Sequence, residues 1–172
     1  IRQHLALMAL IAAAVVLGNR TLLLLLPMLV SLYLLGTFAW SLHRGPPMIE
    51  RFARLAEADL PAFTIPYCRK VTELWCAFLA LNAAAVLALA LAAPIGWWAL
   101  YTGALFYLLM GLLLAGEFAF RKWWFRYYGD GVADRLFERW FPSERTANGR
   151  RSLAYVARRE APAAPLAASS PQ

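Results

Sequence analysis

Polar side chains within long apolar runs are the residues of this chain that could do chemistry, because an amide or a charge is costly to place there without a use. Asn82 is the clearest example, and it shares one helical face with Trp75 and Phe78. Its amide could bind the polar group of a substrate or a lipid headgroup. An asparagine in such a run also forms hydrogen bonds between helices, and we favour that structural interpretation.

Two glutamates mark the ends of apolar runs. Arg69 precedes Glu73 by four residues, and Arg121 follows Glu117 by four residues. This spacing places the two side chains of each pair on one face of a helix, so we predict ion pairs rather than proton-relay residues. Glu117 is also the last residue of a stripe along one face of the fourth predicted span. This stripe could line a cleft, but we interpret it as a face that packs against another helix. The stripe consists of Gly103, Tyr107, Met110, Leu114 and Glu117.

The histidines and cysteines form no recognisable metal or nucleophile motif. His4 and His43 have no partner at a ligand spacing, and we interpret both as interfacial residues. Cys68 and Cys76 would lie about 12 Å apart on one helix, which is too far for a disulfide. Two basic residues follow Cys68 and would favour its thiolate, but no general base lies nearby in the sequence. We therefore predict no metal and no cofactor, and we identify no catalytic residue.

Four apolar stretches must position these side chains. They make the chain 62% hydrophobic and only 16% charged, whereas a soluble domain carries about a quarter charged residues. Runs of about 17–25 apolar residues match the hydrocarbon thickness of a bilayer. We therefore predict an all-α polytopic membrane protein whose four transmembrane helices form two helical hairpins. The predicted spans are 1–18, 21–42, 71–93 and 97–118.

Two amphipathic segments accompany the spans. Residues 48–60 place apolar side chains such as Phe52 on one helical face and charged ones such as Glu50 on the other, which predicts a helix lying in the membrane plane between the hairpins. Residues 129–141 predict a second interfacial helix by the same pattern. The remaining residues, 142–172, become rich in Ala, Pro and Ser, so we predict a disordered cytoplasmic tail.

Basic residues are distributed unevenly about the transmembrane domain, which we assign to residues 1–128. Sixteen of the 17 Lys/Arg residues lie on one side of the predicted membrane, and only Arg20 lies on the other. Basic residues concentrate on the cytoplasmic side, so we predict a multi-pass protein of the bacterial inner membrane with both termini in the cytoplasm. The chain begins at Ile1 without a methionine, and we expect its true N-terminus to lie upstream; we do not expect a cleaved signal peptide.

A cytoplasmic basic face follows from this topology. It could bind anionic lipids or an acidic partner protein. The alternative is that its charges only orient the helices in the membrane. Nucleic acid is not expected as a partner, because the charge flanks the spans instead of forming a separate basic domain. The basic face consists of Arg51, Arg54, Arg69, Lys70, Arg121 and Lys122.

Several short motifs lie along the chain: RFARL at 51–55, Leu60-Pro61, YCRKVT at 67–72 followed by Trp75, Phe78 and Asn82, and Tyr107-x-x-Met110-Gly111 followed by Glu117 and Arg121. Together they resemble a family of small bacterial inner-membrane proteins associated with gene clusters for aryl polyene and xanthomonadin-type pigments. The resemblance covers roughly residues 1–125 and implies a role beside type II fatty-acid-like polyene synthesis or in product delivery, which suggests an acyl carrier protein as the acidic partner of the basic face. It carries no residue-level mechanism, and a ketosynthase activity is excluded because that chemistry needs a soluble thiolase-like fold.

Three functions remain open from the sequence. The leading hypothesis is a non-enzymatic accessory or scaffold protein that supports aryl polyene-type lipid or pigment biosynthesis or its export. The second is a small transporter or flippase subunit for a lipid-like product, which requires a hydrated cleft near Asn82. The third is an intramembrane acyl-processing enzyme, which requires Cys68, Glu73, Glu117 or His43 to converge at the cytoplasmic edge.

Overall fold

The computed structural model describes residues 20–56, 60–126, 135 and 138–160 of the chain. Every secondary-structure element within these residues is helical, which confirms the predicted all-α class. Three helical segments are long and apolar enough to cross a membrane. They are Arg20–His43, Ala62–Ala92 and Ile95–Phe125. The first predicted span, 1–18, lies outside the described residues, so the count of four spans stays a prediction.

Two compact units, Ile1–Leu112 and Leu113–Gln172, make up the chain. The helices of the described residues are α1 (Arg20–His43), α2 (Met48–Ala56), α3 (Ile65–Ala92), α4 (Ile95–Leu100), α5 (Phe106–Phe125) and α6 (Ala147–Glu160). Helix α4 continues through a π-helical turn at Tyr101–Leu105 into α5, which begins in the first unit and ends in the second. Short 3-10 turns at Ala62–Thr64 and Ser143–Arg145 precede α3 and α6.

Helix α3 supplies most of the core of the first unit. Its buried side chains recur every three or four residues, which is the spacing that keeps one face of a helix against its neighbours. Helix α1 and the shorter α2 both pack against α3. Leucines away from the buried face, such as Leu81 and Leu91, are exposed, as in a helix whose other faces meet lipid. The buried residues of α3 are Cys68, Val71, Thr72, Leu79, Asn82, Ala83 and Val86.

All three membrane-capable segments are longer than the predicted spans, the first by only one residue at each end. Helix α3 begins at Ile65 instead of residue 71, because Pro66 lies in its first turn, where the missing N–H costs no intrahelical bond. The segment that begins at Ile95 runs to Phe125 instead of ending at residue 118. Its last turns include Arg121 and Lys122, which are good helix formers and carry the helix beyond the apolar run.

Helix α2 begins at Met48, as predicted, and ends at Ala56 within the described residues. Residues 57–59 are not among the described ones, and Leu60, the predicted end of this helix, has no helical assignment. The orientation of α2 in the membrane plane stays a prediction.

Residues Ala147–Glu160, within the segment 142–172 for which we predict a disordered tail, form the 14-residue helix α6. Thr146 caps this helix, because its side-chain oxygen accepts a 3.1 Å hydrogen bond from the backbone N–H of Gly149. The Ala, Leu and Arg residues of α6 also favour a helix. Residues 161–172 and most of the predicted interfacial helix at 129–141 lie outside the described residues.

Candidate functional site

A buried hydrogen-bond cluster joins three helical segments of the first unit. The side-chain amide of Asn82 on α3 donates a 2.7 Å hydrogen bond to the hydroxyl oxygen of Ser31 on α1. The hydroxyl of Tyr101, at the start of the π-helical turn, donates a 2.9 Å bond to Oδ1 of Asn82. Asn82 and Ser31 are each only 4% exposed. We call Ser31, Asn82 and Tyr101 the Asn82 cluster.

Local backbone features position the two partners of Asn82. Pro27 lies inside α1, and the hydroxyl of Ser31 donates a 2.8 Å bond to its carbonyl oxygen one turn earlier. That bond fixes the Ser31 hydroxyl so that its oxygen faces the incoming amide. The indole N–H of Trp98 donates a 3.1 Å bond to the carbonyl of Leu24, which ties α4 to α1 just before the π-helical turn. Backbone carbonyls of α1 therefore position both partners of Asn82. The carbonyl of Pro27 holds Ser31, and the carbonyl of Leu24 holds Trp98, which lies three residues before Tyr101.

The arrangement of the Asn82 cluster favours a structural role for Asn82 over a catalytic or ligand-binding one. The side-chain nitrogen of Asn82 donates to Ser31 and its side-chain oxygen accepts from Tyr101, so both ends of the amide bond to neighbouring helices. Such interhelical bonds contribute about 0.6 to 2 kcal/mol each in membrane proteins. The interhelical hydrogen bond that the sequence favoured for Asn82 is present, whereas its two partners were missed. In the sequence, Ser31 is marked only as a hydroxyl residue one turn after Pro27, and Tyr101 only as an aromatic residue near the start of a predicted span.

A row of aromatic rings continues from the Asn82 cluster along α3. Phe38 on α1 lies 6.4 Å from Trp75, measured between ring centroids, and Trp75 lies 5.8 Å from Phe78 in an edge-to-face arrangement. Phe78 stacks on Phe106 of α5 at 6.0 Å. The predicted shared face of Trp75, Phe78 and Asn82 is confirmed as the face that meets the other helices. Aromatic contacts of this kind stabilise packing by about 0.5 to 1.5 kcal/mol each beyond burial.

Two hydroxyl groups hold the beginning of α2 against the longer helices. The backbone N–H of Met48 donates a 2.9 Å bond to the Ser41 hydroxyl, and that of Ile49 donates a 3.3 Å bond to the Thr72 hydroxyl. Ser41 is 1% exposed and Thr72 is fully buried. The first N–H groups of a helix have no intrahelical partner, so these hydroxyls act as N-terminal caps supplied by α1 and α3. We call this arrangement the α2 clasp.

The α2 clasp changes the interpretation of the amphipathic helix. Glu50, predicted on the charged outer face, is only 4% exposed and pairs at 2.8 Å with Arg54. Phe52 and Leu55, the predicted apolar face, are 53% and 83% exposed. Docking through the first turn buries the side of the helix that carries Glu50, which leaves the apolar side free to meet lipid.

Within the first unit, the residues of the predicted basic face are engaged in local contacts. Glu73 pairs with Lys70 at 3.0 Å and with Arg69 at 3.6 Å, so the predicted Arg69–Glu73 ion pair is present together with a second, unpredicted one. Arg51 donates 2.9 Å and 3.5 Å bonds to the carbonyls of Pro46 and Arg44 and so closes the turn before α2. Exposed pairs of this kind contribute little stability, about 0 to 1 kcal/mol.

The second unit contains the other predicted basic residues. Arg121 pairs with Glu117 at 3.7 Å, as predicted from their spacing. Arg121 and Lys122 both lie over the ring of Phe118, at 5.8 Å and 5.7 Å from its centroid. Glu117 thus belongs to an ion pair within α5, and its side chain is 17% exposed.

The predicted packing seam that ends at Glu117 is not formed among the described residues. A Cβ built on Gly103 would have no neighbour within 4 Å, and Tyr107 and Leu114 are 59% and 49% exposed. The helical spacing was correct, but spacing alone does not tell a helix face that meets protein from one that meets lipid, since both are apolar.

Metal-ligating side chains do not gather anywhere in the described part of the chain: no group of three or more His, Cys, Asp or Glu residues lies close enough to hold an ion. Cys68 and Cys76 do not form a disulfide, as the sequence predicts. Comparison of the chain with family models, curated proteins and solved structures gives no match.

Proposed function

We propose that this protein is a non-enzymatic scaffold or accessory protein of the bacterial inner membrane that supports aryl polyene-type lipid or pigment biosynthesis or its export. The observation that carries the scaffold assignment is the Asn82 cluster. The mid-span amide, the best candidate for binding or chemistry, is held by Ser31 and Tyr101 at 2.7 and 2.9 Å. A protein whose buried polar groups fasten helices together is suited to presenting a fixed surface.

The same cluster weighs against the alternative of a transporter or flippase subunit. Transport of a lipid-like product needs a polar or hydrated cleft at mid-membrane, and Asn82 is the amide that would line it. Asn82 is 4% exposed and its two ends face neighbouring helices. The acyl-processing alternative is also disfavoured, because Glu73 is engaged by Arg69 and Lys70.

The proposed topology has four spans and both termini in the cytoplasm. It is supported by the charge distribution, with Arg20 as the only Lys/Arg residue on the opposite side. The proposed working surface is the basic face at the start of α2 and α3. Lys70 has a side chain that is 78% exposed, and Arg51 is exposed and bonded to carbonyl groups instead of a carboxylate. Such a surface suits an acidic partner, and an acyl carrier protein is the partner that the family resemblance suggests.

Charge reversal tests this docking role. The variant Arg51→Glu/Lys70→Glu should reduce co-purification of acyl carrier protein by about tenfold or more, because rim charges steer and hold acidic partners. Arg54 is left unchanged, since it neutralises the buried Glu50 and its reversal would disturb the fold. Arg20→Glu, on the opposite side by the proposed topology, is the matched control and should bind normally. Binding that survives the reversal, or a wild-type protein that retains no carrier protein, contradicts the proposal.

A further inference from the structure

The end of α5 is closed by a polar cap that holds α6. The carbonyl of Phe125 accepts a 2.8 Å hydrogen bond from the hydroxyl of Ser152 on α6. Arg126 ends the helix with a positive φ of 50°, and its carbonyl accepts a 2.7 Å bond from the Ser143 hydroxyl. The guanidinium of Arg126 donates a 2.7 Å bond to the carbonyl of Pro142. Carbonyls at a helix end need such partners, so the cap fixes α6 to the end of a membrane-capable helix.

A close approach of backbones tightens this attachment. A Cβ placed on Gly149 would overlap the carbonyl oxygen of Ser143 and lie 2.8 Å from its carbonyl carbon. Only glycine lets α6 pass so close to the preceding turn. The helix is thus docked through a defined face, which carries Ser152 at 3% exposure.

The attachment point lies at a membrane–water interface. Trp123 and Trp124 occupy the last turn of α5 with ring centroids 5.9 Å apart, and they are 43% and 44% exposed. Trp140, between α5 and α6 in the chain, is 72% exposed. Tryptophans concentrate where the apolar core of a bilayer meets its headgroups. A helix bonded to Phe125 is therefore held at headgroup level.

The free side of α6 is basic. Arg150, Arg151 and Arg158 are all exposed and lie within about a third of the helix circumference, opposite the docked side. Arg150 donates a 3.1 Å bond to the carbonyl of Glu144. None of the three takes part in an ion pair among the residues that the structure describes. We call these residues the α6 arginine stripe.

We propose that the α6 arginine stripe binds the anionic headgroups of phospholipids in the membrane that α5 crosses. Guanidinium groups form paired hydrogen bonds with phosphate, and a basic helix beside an anionic leaflet gains from every charge that it brings near the surface. The stripe has the charge, the exposure and the position for this contact. The inference does not depend on the proposed scaffold role, since it requires only that α5 crosses a membrane.

Hydrogen–deuterium exchange of the full-length protein in nanodiscs tests the proposal. The backbone amides of α6 should exchange about tenfold more slowly in discs that contain phosphatidylglycerol than in discs of phosphatidylcholine alone. The variant Arg151→Gln/Arg158→Gln should lose this difference, and Arg151→Lys/Arg158→Lys should keep most of it. Arg150 is retained in both variants because of its bond to Glu144.

The matched control removes two charges elsewhere. Arg69→Gln/Lys70→Gln should leave the lipid dependence of α6 unchanged. Equal exchange in both lipid mixtures overturns the proposal, and so does a lipid effect that persists in the Arg151→Gln/Arg158→Gln variant. Protection that appears in phosphatidylcholine discs only after an acidic protein or an RNA is added would assign the stripe to that partner instead. Loss of carrier-protein binding in the docking experiment has no bearing on these outcomes.

Discussion

The hydroxyl of Tyr101 donates a 2.9 Å hydrogen bond to Oδ1 of Asn82. The bond connects the first residue of a π-helical turn to the middle of α3. A π-helical turn inserts one extra residue into a helix and so redirects the side chains that follow it. In this protein the π-helical turn begins at Tyr101, whose hydroxyl bonds to the buried amide of Asn82. The turn therefore coincides with the hydrogen bond that joins this segment to α3.

Removing the Tyr101 hydroxyl should weaken the first unit. Tyr101→Phe should lower the free energy of unfolding by about 0.5 to 1.5 kcal/mol, because one interhelical bond is lost and the ring is kept. Asn82→Leu should cost more, about 1 to 3 kcal/mol, since the Tyr101 hydroxyl is left without its acceptor. Equilibrium unfolding in detergent or bicelles measures the loss of stability in both variants. The control is Tyr107→Phe, because Tyr107 is 59% exposed. An equal loss of stability in the two tyrosine variants would contradict the structural role of the cluster.

The α2 clasp gives a second prediction. Thr72→Val keeps the shape of the side chain but removes the acceptor for the Ile49 N–H, so α2 should exchange its amide protons faster. The expected loss of stability is about 1 to 2 kcal/mol, as for other N-terminal caps. Hydrogen–deuterium exchange of residues 48–56 is the measurement.

Thr37→Val is the matched control for the clasp. Its hydroxyl bonds the carbonyl of Tyr33 within the same helix, so its loss should leave α2 unaffected. Similar exchange of α2 in the two threonine variants would show that the clasp does not hold the helix.

The approach of Gly149 to Ser143 gives a third prediction. Gly149→Ala should loosen α6 from the end of α5, because the new methyl group would overlap a backbone carbonyl that cannot move like a flexible side chain. The amide of Ser152 and its neighbours should then exchange faster, and the unit should lose about 1 to 3 kcal/mol. Gly116→Ala, where a Cβ meets nothing within 4 Å, should be neutral or slightly stabilising. An unchanged α6 in the Gly149 variant would refute the close packing.

Local ion pairs were predictable from the sequence because helix geometry alone fixes them. Residues four apart on a helix are neighbours, so the pairs of Glu73 with Arg69 and of Glu117 with Arg121 followed from their spacing. The bounds of the helices were less predictable. The polar tail sequence suggests disorder, whereas α6 packs closely against Ser143, just before it in the chain, and bonds to Phe125, which lies 27 residues before Ser152.

Composition and residue order were enough to predict a helical chain that is apolar enough to enter a membrane and that has its basic residues on one side of that membrane. Which side of each helix packs against protein depends instead on contacts between distant residues. The tertiary structure paired Asn82 with Ser31 and Tyr101, and it buried Glu50 while exposing Leu55. In a membrane protein a lipid-facing leucine and a packed one are equally apolar, so the pattern of hydrophobic residues does not distinguish them and contacts between distant residues do.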